Sequence, residues 1–263
     1  MQKANNARLM EQVGSQYVKS YAAATAWGNV ASMYLSLPML RGFWPMGAVD
    51  DTGAVVDASG MANLLTYAGN PTYDWQGLVP YVDLDGTGDY LWGADNATLD
   101  ILGTEAFVAN PGLTLGGWFY IDAATSSGPL FCKWGAAGSY SYLLQVVKSA
   151  PNYSAQFYVS VDGTAVVNVA QTTLQELDTW AFIACRFTPS TELKIRTNMV
   201  VKENVAAIPA GIFGSNANLT IGTDTPAATF RTGKVAYPFV CAAAISDTII
   251  AALFHHTRAL FGV

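Results

Sequence analysis

Few residues in this chain are equipped for covalent chemistry. Its 263 residues hold two histidines, His255 and His256, adjacent to one another, and five glutamates. A Ser-His-Asp arrangement therefore has poor raw material, and neither a G-x-S-x-G elbow nor a phosphate-cradling glycine loop occurs. A His-His metal site would need acidic or sulfur partners nearby, and none are local. Cys132, Cys185 and Cys241 are odd in number, lack a C-x-x-C spacing and sit in apolar runs, as buried free thiols do. What remains is a set of aromatics at predicted loops and strand ends: Tyr67, Tyr73, Trp75, Trp92, Trp134, Tyr140 and Tyr153. Exposed aromatic rings stack on sugars, anchor protein interfaces, or turn inward to a core. All three alternatives stay open, with Trp75, Trp92, Tyr73 and Trp134 the candidates for a glycan or interface role.

Composition narrows the partners. Thirteen Lys+Arg against 19 Asp+Glu give a formal net charge of -6. That leaves no basic patch to track phosphates and excludes nucleic acid as a partner. Charged residues make up 12%, against about 25% in ordinary soluble domains. A surface so poor in charge points to contact with another copy or another protein. Three N-x-S/T triplets begin at Asn96, Asn152 and Asn218 and matter only in a eukaryotic secretory setting.

The elements that must position these residues fall into two parts. Residues 1–42 carry the stripe Leu9, Val13, Tyr17, Ser20, Ala24, Trp27, Ala31, Tyr34, spaced by threes and fours, the period of a helix. Pro38 stops it. A signal peptide fits badly, because Glu11 falls where positive charge belongs and the apolar run starts late. A membrane span fits badly too, because Ser20, Thr25, Asn29, Ser32 and Ser36 are polar. Between Lys19 and Arg41 there is no charge, so such a helix needs cover on most faces. The cover is either the chain's own sandwich or a neighbouring subunit, and we expect an assembly helix docked on the neighbour.

From Phe43 onward the period changes to short strands split by turns. Strands are expected at 81–85, 89–92, 113–121, 130–134, 141–147, 156–161, 165–169, 180–187, 193–197, 219–221 and 235–245, with a tight turn at Asp162-Gly163. A closing helix follows, with Asp247 as its N-cap and Ile249, Ile250, Leu253 and Phe254 as its apolar face. About a dozen strands at this spacing make a sandwich or jelly roll.

The order of motifs resembles the laminin-G-like, concanavalin A-like jelly-roll family. The carriers are Phe43-Trp44-Pro45, then Asp57-Ala58-Ser59-Gly60-Met61-Ala62-Asn63 as D-x-S-G-x-x-N, and Val82 to Leu91 around Asp85-Gly86. LTLGGWFY at 113–120, Thr179-Trp180-Ala181-Phe182-Ile183 and Leu219-Thr220-Ile221-Gly222 complete the order. The resemblance covers residues 43–263 and implies an all-β sandwich with an N-terminal helical extension (1–42) and a short C-terminal helix. It implies buried positions for Trp44, Trp118 and Trp180. It also implies a possible calcium position near Asp57 and Asn63, where a hard cation would collect oxygens; the same residues could instead only fix a turn. No cofactor is otherwise required. The acids many relatives carry before the last strand are missing from Gly233-Lys234-Val235-Ala236-Tyr237. Related glycosidases set two carboxylates in an E-x-D-x-x-E strand. Here Glu176-Leu177-Asp178 is followed by Ala181 where the second Glu belongs, so we expect no enzyme. A helix leading into such a sandwich is similar to components of tailed bacteriophages and environmental bacterial surface proteins. The expectation is a homo-oligomeric or docked structural protein of a virion or cell surface, with membrane insertion disfavoured. A glycan-binding adhesin module is the alternative.

Overall fold

The computed structural model describes residues 29–47, 53–106, 108–123, 127–149, 151–171, 175–224 and 229–263. Two antiparallel sheets face each other. The first runs β14 (Val200–Asn204), β13 (Glu192–Thr197), β12 (Thr179–Thr188), β6 (Leu113–Ile121), β16 (Thr232–Cys241), β4 (Val79–Asp85) and β3 (Thr72–Gln76), with β1 (Leu40–Phe43) also pairing β16. The second runs β10 (Val166–Ala170), β9 (Asn152–Ser160), β8 (Tyr140–Ser149), β7 (Gly128–Trp134), β15 (Leu219–Ile221), β5 (Tyr90–Gly93) and β2 (Thr66–Ala68), with β11 (Gln175–Glu176) added to β9.

The first sheet is buried on both faces, and its sequence shows why. Side chains alternate across a strand. On β12, Ala181, Ile183, Cys185 and Phe187 enter the core between the sheets, while Trp180, Phe182 and Ala184 enter a second cluster on the far side. A strand covered on both sides reads as a continuous apolar run, which is what LTLGGWFYI of β6 displays. Gly116 lies where β6 and β12 approach closely: a Cβ there would stand 2.5 Å from the Ile183 carbonyl oxygen.

Two helical segments supply the outer cover. Residues 29–35 form α1, and α2 is Asp247–Phe261. Val30, Ala31, Tyr34 and Leu37 join Ile250, Leu253, Phe254 and Phe261 over Trp118, Trp180, Phe182, Phe239 and Phe43. Tyr34 stacks on Phe43 at 4.6 Å and meets Phe239 edge-on at 5.4 Å. Trp118 stacks on Phe261 at 4.0 Å, and its indole nitrogen donates to Thr257 Oγ1 at 3.0 Å.

Several expectations change here. Ala31 and Tyr34 are covered by this chain's own sheet, not by a neighbouring subunit, because the outer face of β16 and β1 is apolar and otherwise bare. Leu9, Val13, Tyr17, Ala24 and Trp27 lie outside the described residues. Strand β1 crosses the 42/43 boundary, so residues 29–42 are continuous with the sandwich. Ser246, not Asp247, caps α2, accepting from the Ile249 N–H.

Asp247, freed from capping, belongs to an ion network. Arg186 Nη2 donates to Glu192 Oε1 at 2.5 Å, Lys194 lies 3.0 Å from Glu192 Oε2, and Asp247 lies 3.1 Å from each cation. Burial would raise the Glu192 carboxyl, but hydrogen bonds from Arg186 and Lys194 outweigh it and hold the group low. Asp247 is held low against the same burial effect by Lys194 and Arg186. Folded values below the unfolded ones mean stabilisation that is full above about pH 4 and lost as pH falls through the folded value. Glu192→Gln should therefore flatten part of the acid loss, by on the order of 1 kcal/mol. Urea midpoints at pH 7 and pH 3 check this; an unchanged difference between them would refute it.

Candidate functional site

The second sheet has one face in the core and one without a helix over it among the described residues. Its inward residues include Leu91, Phe131, Tyr142, Leu144, Phe157, Val159 and Ile221. The alternating outward positions form one row in register: Thr66, Trp92, Thr220, Cys132, Leu143, Tyr158, Asn168; Thr220, Cys132 and Leu143 at its centre are buried, so the row is open only toward its two ends. Adjacent strands stand about 4.8 Å apart, so the row crosses the whole sheet.

Trp92 anchors one end of this face. Its half-buried side chain forms a wall of a groove of about 260 Å³. The segment Ala62 to Thr66 lines the other side, and Gly93, Ala94, Asp95, Asn96 and Leu99 line the end. The lining segments are held from below. Lys133, fully buried on β7, lies 2.6 Å from Asp95 Oδ1 and 3.0 Å from Asp100 Oδ1. It also donates to the Ala217 carbonyl at 3.0 Å and to the Ser215 carbonyl. The Asp95 N–H donates to Asn218 Oδ1, and the Thr98 N–H to Asn96 Oδ1.

The D-x-S-G-x-x-N segment sets the near wall. Asp57 Oδ1 accepts from the Phe43 and Ser59 N–H groups at 3.0 and 2.9 Å. Asp57 Oδ2 accepts from Ser59 Oγ at 2.8 Å and the Asn63 N–H at 3.0 Å. The Asn63 amide donates to the Arg41 carbonyl and to Thr98 Oγ1, and the Asn63 carbonyl accepts from the Trp44 indole at 2.7 Å. Both side chains are buried. The calcium expectation fails this fit test: a cation at Asp57 would have to displace four donors, so the carboxylate is a turn-fixing group. Among the described residues no three His, Cys, Asp or Glu side chains come together as a metal cluster.

The other aromatics separate. Trp134 stacks on Tyr140 at 4.3 Å and meets Tyr158 edge-on at 6.4 Å, which places this trio on the outer face of the same sheet as Trp92, with buried Thr220, Cys132 and Leu143 between them. Tyr158 Oη donates to Gln156 Oε1 at 2.6 Å beside it. Trp75 is 51% exposed but belongs to β3, at the edge of the other sheet. Tyr73 turns toward the core against Tyr67 at 5.5 Å, and burial pushes its phenol up. Tyr153 is fully buried. Cys132, Cys185 and Cys241 are buried free thiols. Asn63 and Trp92, singled out for different reasons, share one groove; Asp95 and Lys133 were not singled out at all.

Two antiparallel sheets packed face to face in this strand order make a jelly-roll sandwich. The family model of the Concanavalin A-like lectin/glucanases superfamily matches residues 85–251, and the chain belongs to that superfamily. No curated protein matches. Among solved structures, domain 4 of AbnA, a GH43 extracellular arabinanase from Geobacillus stearothermophilus, determined with arabinotriose, is similar at TM-score 0.58 and 14% identity. That match covers 81% of this chain and 97% of that one. The botulinum neurotoxin serotype D ligand-binding domain, determined with N-acetylneuraminic acid, is similar at TM-score 0.63 and 11% identity, covering 86% of this chain. The binding domain of Paraclostridial Mosquitocidal Protein 1 is similar at TM-score 0.61 and 10% identity, covering 82%. This chain spans about half the length of those two toxin domains, 52% and 51%. At such identities the likeness is one of fold.

Proposed function

We propose that this protein is a glycan-binding module without catalytic activity, and that the Trp92 groove is its binding site. The observation that carries the reading is the placement of a partly exposed indole beside exposed Thr66, Asp95 and Asn96 in one groove. An apolar ring face with a few convergent polar groups is what a sugar needs: stacking for its C–H face and hydrogen bonds for its hydroxyls. Two of the structural neighbours, determined with arabinotriose and with N-acetylneuraminic acid, support the same direction. The absence of turnover is supported by the acid pair. Asp178 Oδ1 accepts from the Ala123 N–H at a turn, with the Asp178 backbone at φ 57°, and Glu176 lies on the short β11.

Trp92→Ala tests the reading. Loss of the stacking surface should weaken binding to an immobilised-glycan panel by roughly five- to thirtyfold, taking stacking as about 1–2 kcal/mol. The melting temperature should fall little, because Trp92 points away from the inter-sheet core. Glycan binding that survives Trp92→Ala unchanged would place the site elsewhere, and a chain that binds no glycan would end the proposal.

A further inference from the structure

The groove has an unusual charge balance. Of its lining residues Asp95 alone is charged. The ammonium beneath it, Lys133, has no exposed side-chain surface and spends its three protons on Asp95 and the carbonyls of Ser215 and Ala217, with Asp100 Oδ1 a charge contact at 3.0 Å. Two carboxylates against one ammonium leave the cluster with a net negative charge. The Arg41 guanidinium lies against Met61 and does not line the groove.

Asp95 is held in a particular way. Lys133 fixes Oδ1, and the backbone N–H is tied to Asn218. Oδ2 accepts from no donor among the described residues, and the side chain is 38% exposed. A carboxylate oxygen so fixed is an acceptor looking for a donor. A sugar hydroxyl is such a donor, and the resulting charge-assisted bond is about twice as strong as a neutral one. A sugar carboxylate is the opposite: it brings a like charge toward a cluster in which one ammonium answers two carboxylates, in a groove where less water screens the pair.

We infer that the groove selects uncharged sugars and rejects anionic ones such as sialic or uronic acids, with Asp95 as the specificity-determining residue. The inference rests on the glycan-binding reading above and adds the class of sugar. Thr66 and the Asn96 amide then serve hydroxyls around the ring stacked on Trp92, and none of these groups supplies a cation for an acid.

Matched pairs of glycans read the selectivity directly: lactose against sialyllactose, and methyl-esterified trigalacturonate against trigalacturonate, titrated calorimetrically into the full chain and backed by a broader immobilised panel of both charge classes. Neutral members should bind at least roughly tenfold tighter than their anionic counterparts at low salt, and the gap should shrink as salt rises. Asp95→Asn keeps Lys133 paired with Asp100. It should weaken neutral binding by roughly tenfold and narrow the neutral-to-anionic ratio, with the melting curve confirming the fold. Anionic glycans bound as tightly as neutral ones, or a ratio unmoved by Asp95→Asn, overturn the selectivity while Trp92-dependent binding stands. Failure of the full chain to bind any glycan overturns both.

Discussion

A chain shortened to residues 43–263 will fail to fold into a stable monomer and will melt far below one shortened to residues 29–263. The longer cut removes Val30, Ala31, Tyr34, Leu37 and Leu40, all buried over the outer face of the helix-covered sheet. It removes the stacked ring from Phe43 and the edge contact from Phe239. It also breaks the pairing of Leu40 with Cys241 and the bond from the Ala242 N–H to the Met39 carbonyl. Truncating one buried Leu or aromatic costs about 2–5 kcal/mol. Three such losses, Tyr34, Leu37 and Leu40, with Val30 and Ala31 besides, are comparable to the whole of the roughly 5–15 kcal/mol by which domains are stable. The bared patch would also associate. Circular-dichroism melts and native masses of the three chains decide it, and a 43–263 chain that melts with the 29–263 one would refute the assignment. The same masses address assembly. If the full chain is oligomeric and 29–263 is monomeric, residues 1–28 are the assembly device, and the virion or surface-array reading gains its footing there.

That boundary shows where reading the sequence stops. The periodicity of 29–35 was legible, and so was the need for cover. Which surface provides the cover was not, because a bare sheet face in the same chain and a neighbour's surface leave the same stripe. The strands of the two sheets were legible wherever apolar runs were long: β6, β12 and β16 stand out because both faces are buried. Strands β2, β3 and β14 are short or edge-like, with exposed positions such as Thr66, Trp75 and Glu203, and left no periodic signal. Trp118 and Trp180 read as core from the family pattern, yet they sit under the helices and not between the sheets. At the site, Trp92 was visible as an aromatic at a strand end. Asp95 became meaningful only through Lys133. A signal for that pair did exist: a lysine inside Leu130-Phe131-Cys132-Lys133-Trp134 must find a partner if the strand is buried. Its partners lie 38 and 33 residues away, at a distance no local pattern spans.

Asp57→Ala will lower stability by roughly 3–5 kcal/mol, and calcium will not restore it. Four donors converge on this carboxylate, and two of them, the Phe43 and Asn63 N–H groups, are buried. Orphaning a buried donor costs about 1–3 kcal/mol each, and the partly exposed Ser59 donors recover water. The loss spreads because Asn63 also receives the Trp44 indole and reaches Arg41 and Thr98, so the turn, β1 and the groove wall share one set of bonds. In a domain of this size the change corresponds to a melting temperature lower by about 10 °C. Asp57→Asn should fall between, because its amide keeps one acceptor and turns an N–H toward an N–H. Melts of wild type and both variants, in chelator and in millimolar calcium, separate the two roles of D-x-S-G-x-x-N. Equal curves in both buffers, with the variants ordered wild type, Asn, Ala, are the expected result. A wild-type melting point that rises with calcium and an Ala variant that ignores it would show that the carboxylate holds a cation after all, and would return the near wall of the groove to the metal reading.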